Sequence, residues 1–214
     1  MTRTTCFNTR KALPAKMPKV LLYLTLFLFC CLPAKDLIAR QKQQVVAALK
    51  VNKRYKGKSI KVDDGDTFTF LSSGKNTYRI RLDGIDAPEK GMPYARKSKE
   101  FLAALLLDQA IELRVVSVDR YGRYVGKVYC KGVNVSLLMV QAGYAWHYSQ
   151  YSQDYALAQA QAKAREQKKG LWQNKAPLAP WTVRAYRRAG YSDARFSELR
   201  KQNSPEIQKF LQAI

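Results

Sequence analysis

The sequence predicts a mainly β chain with helices, α+β in character. Three observations carry this. Short runs from Ser59 onward alternate apolar and polar residues, the period of a half-buried strand. Between and after them the apolar spacing becomes helical. An apolar fraction of 47% over 214 residues suffices for one packed core with extensions.

The elements follow in order. "SIKV" and "DTFTFL" alternate, "SSGKN" is a turn and "TYRIRL" alternates again, which makes a hairpin. "IELRVVSVD" and "RYVGKVYCKG" are two further strands, the second ending at a Lys-Gly turn. "ARKSKEFLAALLLDQ" gathers Phe101, Leu102, Leu105 and Leu106 on one helical face. "NVSLLMVQAG" reads as a short helix with Asn134 near its start and Gly143 as its stop. "SQDYALAQAQAKAREQKKG" reads as a longer one with cations in its last turns, stopped by Gly170. "LWQNKAPLAPW" breaks regular structure with its prolines, and a basic tail runs on from Trp181. In that tail Arg184, Arg187 and Arg188 read as surface charge that adds affinity rather than chemistry. "SPEIQKFLQAI" has the form of a short amphipathic helix, Ser204 its cap and Pro205 its first residue. The expected organisation is a leader over 1–34, a polar linker over 35–56, a folded domain over 57–174 and a basic extension over 175–214. No internal repeat is present.

Lys and Arg number 38 against 16 Asp and Glu, a formal net charge of +22. That excess is spread over the whole chain and suits a polyanion, either nucleic acid or an anionic membrane surface. Arg10, Lys11, Lys16 and Lys19 precede the apolar run Val20–Leu32, and Pro33 and Ala34 end it. This order is that of a signal peptide cleaved after Ala34, with Met17 as an alternative start and an uncleaved anchor as the rival. Export to the periplasm or medium is therefore expected, or membrane anchoring if the leader stays. Cys6, Cys30 and Cys31 lie in the leader, so Cys130 has no internal partner in the mature chain. One Cys and one His (His147) exclude a Cys/His zinc site. No nucleophile-elbow pattern surrounds a serine, and His147 beside Trp146 and Tyr148 reads as packing or surface.

Against this basic background, acids concentrate in "VDDGDTFTF" and "RIRLDGIDAPEKG". Asp66 stands where a turn becomes a strand, and Asp86 and Glu89 follow another strand. The intervening hairpin brings them together. Clustered carboxylates repel unless a cation lies between them, and oxygen-only donors suit a hard ion, calcium or magnesium. "DDGDTFTFLSSG" lacks the spacing and final Glu of an EF-hand. Arg81 precedes Asp86 by five residues, and Arg123 lies in the turn "VDRYGR". A guanidinium meets phosphate oxygens with a fixed fork of donors. Two arginines, a cation-binding acid cluster and a spare carboxylate are the parts needed for phosphodiester hydrolysis.

"DGDT" (64–67), "RLDGIDAPE" (81–89), "DRYGR" (119–123), "AGYAW" after a short helix and the closing "KGLW" resemble the staphylococcal nuclease family from about Ser59 to Trp172. "PLAPWTVR" resembles the extension that follows the domain in many bacterial relatives. The resemblance implies an OB-type five-stranded barrel with about three helices. It implies that Asp66 and Asp86 give carboxylate oxygens to Ca²⁺ and Ala87 a backbone carbonyl, where the family's best-known member has Thr. Glu89 matches the general base or water-positioning carboxylate. Arg81 and Arg123 match the phosphate-binding arginines, and Arg120 and Tyr121 the positions that hold the neighbouring phosphate. Tyr148 and Tyr151 are both candidates for packing on the nucleotide. The implied activity is calcium-dependent endo- and exonuclease action on DNA and RNA, leaving 3′-phosphates, with little sequence preference. The alternative is a non-catalytic barrel that binds nucleic acid. DNA and RNA are the expected partners of a monomeric chain, no protein partner is implied, and a membrane enters only if the leader is uncleaved.

Overall fold

A computed structural model describes residues 47–213. The expected leader, its cleavage and the alternative start at Met17 lie outside the described residues. Among those described, no helix is long and apolar enough to cross a membrane.

Strands β1 (Arg54–Val62), β2 (Thr67–Ser72) and β3 (Thr77–Leu82) form an antiparallel meander. β5 (Ala110–Val118) pairs with β1 and with β6 (Tyr124–Cys130). A parallel pairing of β3 with β6 closes these five strands into a barrel. Closure removes the free edges that an open sheet would leave. The short β7 (Val133–Asn134) turns back on the end of β6. The inward residues of the alternating runs, Phe68, Phe70, Ile80, Leu82, Leu113, Val115 and Val128, are buried inside the barrel. Helix α1 (Ala95–Leu106) caps the core with Leu102 and Leu106, and α2 (Val135–Gln141) adds Met139 and Val140. The Asn134 side chain accepts from the Ser136 N–H, so the cap read from sequence is formed. Two further short strands, β4 (Ile85–Asp86) and β8 (Trp146–His147), pair outside the barrel and place Asp86 opposite Trp146.

β1 begins inside the stretch read as linker. Leu49 is buried, its N–H donates to the Tyr124 hydroxyl, and the Tyr78 hydroxyl donates to the Ala47 carbonyl at 2.6 Å. The boundary at 56 therefore moves towards the N-terminus, because Leu49 and Tyr55 pack on the barrel.

Helix α3 (Tyr155–Glu166) stops before Gly170, and Lys168 takes the left-handed turn. Gly170 serves a different purpose. A Cβ there would lie 2.2 Å from the Gly143 carbonyl oxygen, and one on Gly143 would lie 2.3 Å from that of Lys169. The two glycines let backbone meet backbone, and the Leu171 N–H donates to the Gly143 carbonyl at 2.8 Å.

The basic tail is the larger correction. After a 3₁₀ turn (Gly170–Gln173) come α4 (Pro180–Arg188), α5 (Asp193–Lys201) and α6 (Pro205–Gln212), so the described residues hold three helices in the barrel domain, as expected, and three in the extension, where only α6 was expected. Pro180 opens α4 at its first turn, where its missing N–H costs nothing. Val183, Tyr186, Phe196, Leu199 and Ile207 form a core of their own. Trp146, Ala164, Leu171, Trp172 and Ala179 form a second cluster, with Trp181 against it, that seals α4 to the barrel domain. Ser204 caps α6 and Pro205 is its first residue, as expected.

Candidate active site

The site lies in one cleft of about 1300 Å³, walled by the turn before β2, the ends of β3 and β5, the turn after β5, the loop after β4, and α4. Asp66, Arg81, Ala87, Glu89, Arg120, Tyr121, Arg123, Tyr148 and Tyr151 all line it, and Asp86 lies buried behind them.

Its centre is a set of ion pairs. Arg81 Nη1 is 2.8 Å from Asp66 Oδ2, and Arg81 Nη2 is 2.8 Å from Asp86 Oδ1. One guanidinium thus bridges two carboxylates that are 4% and 1% exposed. The Ala87 N–H also donates to Asp66 Oδ2, at 3.2 Å. Burial raises the Asp86 pKa, and the charge of Asp66 adds to it, against the pull of Arg184 and Arg81. Asp64 receives the Asp66 N–H, and burial followed by the charge of Asp66 pushes it up to about 6.

Arg123 stands at the other side. Its Nε lies 2.7 Å from Asp119 Oδ2, and its Nη1 donates to the Thr67 hydroxyl at 3.1 Å. That hydroxyl donates to Asp66 Oδ1 at 2.8 Å. Burial would raise Asp119, but the Arg123 backbone and guanidinium hold it below the usual carboxylate range. Thr67 and Asp119 stand within the motifs "DGDT" and "DRYGR", but their bracing roles escape sequence reading, because each acts through a hydrogen bond that leaves no pattern of its own.

Arg120 and Tyr121 sit at the mouth, with the guanidinium 4.9 Å from the ring centroid. Tyr121 and Tyr151 are largely exposed. Tyr148 is stacked on Trp181 at 5.2 Å and 4°, and touches Tyr151 at 4.7 Å. Trp181 therefore covers one face of Tyr148, while Tyr151 keeps an open ring. His147 packs, as expected: it is buried, with Nε2 3.0 Å from the Ser152 carbonyl oxygen.

Arg184 departs from the expectation of surface charge that gives affinity alone. On α4 it reaches Asp86 Oδ2 (2.7 Å), Asp86 Oδ1 (3.2 Å) and Glu89 Oε1 (2.6 Å). Its signal in the sequence is faint: Trp181, Arg184, Ala185 and Arg188 recur at helical spacing and form the cleft face of α4. Arg187 points to Asp193 instead.

Among the described residues no three His, Cys, Asp or Glu side chains form a ready-made metal cage. The donors that converge are nevertheless all oxygen, from two buried carboxylates beside the Ala87 backbone. That chemistry fits a hard divalent ion whose remaining positions are filled by water.

Comparison with known proteins finds a matching family and named relatives. The family model described as "Staphylococcal nuclease homologue" matches residues 79–174. An Escherichia coli protein named "Uncharacterized endonuclease" is 43% identical over 129 residues, which are 60% of this chain and 84% of the relative. The chain belongs to the staphylococcal nuclease homologue family. A Haemophilus influenzae relative, also named "Uncharacterized endonuclease", is 40% identical over 121 residues, 56% of this chain and 68% of its own. "Probable staphylococcal-like nuclease CAN1" of Oryza sativa subsp. japonica is 45% identical over 113 residues, 53% of this chain and 34% of the relative. The family model stops at residue 174, just before the stretch that builds α4.

Proposed function

We propose that the protein is a calcium-dependent nuclease that hydrolyses phosphodiester bonds of DNA and RNA with little sequence preference, leaving 3′-phosphates. The observation that carries this reading is the convergence in one cleft of Asp66 and Asp86 on Arg81, with Glu89 and Arg123 alongside.

Asp66, Asp86 and the Ala87 carbonyl would hold the cation. When bound, it supplies Lewis-acid polarisation of the scissile phosphate and orients water. Glu89 takes or directs the proton of that water. Arg123, braced by Asp119 and Thr67, presents its remaining donors to the phosphate oxygens. Arg81 turns from the carboxylates to the same oxygens once they are otherwise neutralised. Removing one such donor typically costs about 2.7–4 kcal/mol in the transition state. Arg120 and Tyr121 hold the neighbouring phosphate, and Tyr151 offers its open ring to a base. Contacts of this kind carry little sequence information. The leader pattern supports action outside the cytoplasm, with the chain exported or anchored.

The test is a nuclease assay on the purified chain with plasmid DNA and with RNA, in calcium and in chelator. Hydrolysis of both substrates with calcium and none in chelator is expected. Undiminished hydrolysis in chelator overturns the metal assignment. Binding without hydrolysis in calcium favours the non-catalytic alternative.

A further inference from the structure

The role of Arg184 rests on the nuclease reading and goes beyond it. Two properties of this arginine matter together. It lies on a helix fixed by two apolar clusters, so its position is built into the fold rather than sampled by a loose tail. It also engages the two carboxylates that the chemistry needs most, Asp86 with both guanidinium arms and Glu89 with one.

Asp86 cannot hold a cation and Arg184 equally well at the same time. Both its oxygens already accept from guanidinium N–H groups, Oδ1 from Arg81 and Arg184 and Oδ2 from Arg184. A divalent cation on Asp86 places like charge within a few ångströms of Arg184 and weakens its hold. A phosphate in the cleft offers oxygens that match the same planar fork. The Arg184 side chain is about a third exposed and lines the cleft, so those oxygens lie within reach of a side-chain rotation.

We propose that Arg184 is a third arginine of the active site, one that closes Asp86 and Glu89 in the free protein and transfers to the substrate phosphate when cation and nucleic acid bind. The consequence is a pair of effects of opposite sign. Without Arg184 the cation no longer competes for Asp86 and binds more tightly. Without Arg184 the phosphodiester loses a forked donor and binds more weakly.

The experiment uses the chain with Arg184→Ala and Arg184→Gln, the latter keeping more of the side-chain stem that packs in the cleft. Circular dichroism and thermal unfolding confirm that each variant is folded. Calcium binding is read by calorimetry without substrate. Oligonucleotide binding at saturating calcium is read by stopped-flow anisotropy before cleavage. Calcium affinity several-fold higher and oligonucleotide affinity about tenfold lower, the scale of one charge-assisted contact, is the expected result. Arg184→Lys should fall between, since an ammonium keeps the charge but not the fork. Weakening of both ligands marks a structural role and overturns the proposal. Tighter calcium with unchanged oligonucleotide affinity also overturns it, leaving a mere competitor. The nuclease reading is judged separately: if the wild-type chain binds calcium but cleaves nothing, that reading fails while the calcium arm still reports on Arg184.

Discussion

Arg81 is surrounded by acids, and its removal strands them. In Arg81→Met, Asp66 and Asp86 face each other in a buried site with only Arg184 left to compensate. Breaking a buried pair on one side costs about 3–5 kcal/mol. Urea unfolding of that variant should show a loss of about 3 kcal/mol, and calcium should restore more stability to it than to wild type, since a ligand bound only by the native state stabilises it. No added response to calcium would argue against the two carboxylates as a cation site. Glu89→Gln should lower turnover by about 10²-fold or more with substrate affinity roughly kept. Arg123→Ala should lower it by about 10²–10³-fold, read as single-turnover rate at saturating substrate. Near wild-type rates in either would remove that residue from the chemistry. At this scale the sequence is informative where residue type is decisive. The rarity of acids in so basic a chain exposes Asp66, Asp86 and Glu89. Thr67 and Asp119 stay silent because bracing depends on geometry, and Arg184 because 95 positions separate it from the Glu89 it contacts.

Among the elements, the barrel strands are legible because burial of one sheet face imposes a period of two on the chain. Helices α4 and α5 are not, because the proline that opens α4 and the arginines of both carry two meanings. Pro180 breaks a strand but starts a helix, and Arg187 reads as solvated charge until Asp193 is seen opposite it. The Arg187 guanidinium, then the Tyr186 hydroxyl, hold Asp193 down to about 2. A carboxylate depressed below its unfolded value stabilises the fold above that value and ceases to as pH falls through the folded one. Asp193→Asn should therefore lower stability at pH 6–7, by no more than about 1 kcal/mol for a pair this exposed. The difference from wild type should shrink between about pH 4 and pH 2. Urea midpoints at those pH values measure it, and a constant difference would mean that Asp193 contributes as a neutral hydrogen-bond partner.

For the whole molecule, the +22 charge and the cleft act on different quantities. Charge sets how strongly affinity falls with salt, because neutralised phosphates release counterions. Deleting residues 175–214 removes part of that charge, and the seal over Trp146 and Trp172 and the hold on Asp86 and Glu89 go with it. The truncated chain should show a shallower salt slope, and, unlike a chain losing only a basic tail, a changed single-turnover rate. An unchanged rate at saturating substrate would place the extension outside the site. The aromatic seam has an optical consequence as well. All three tryptophans, Trp146, Trp172 and Trp181, meet there, the first with each of the others at 4.4 and 5.5 Å. Intrinsic emission from this protein is thus a reporter of one seam and nearly blind to the barrel. If the extension undocks before the strands melt, the emission shift will precede the loss of ellipticity on a denaturant ramp, and the gap between the two curves will measure how independently the roof of the cleft can open.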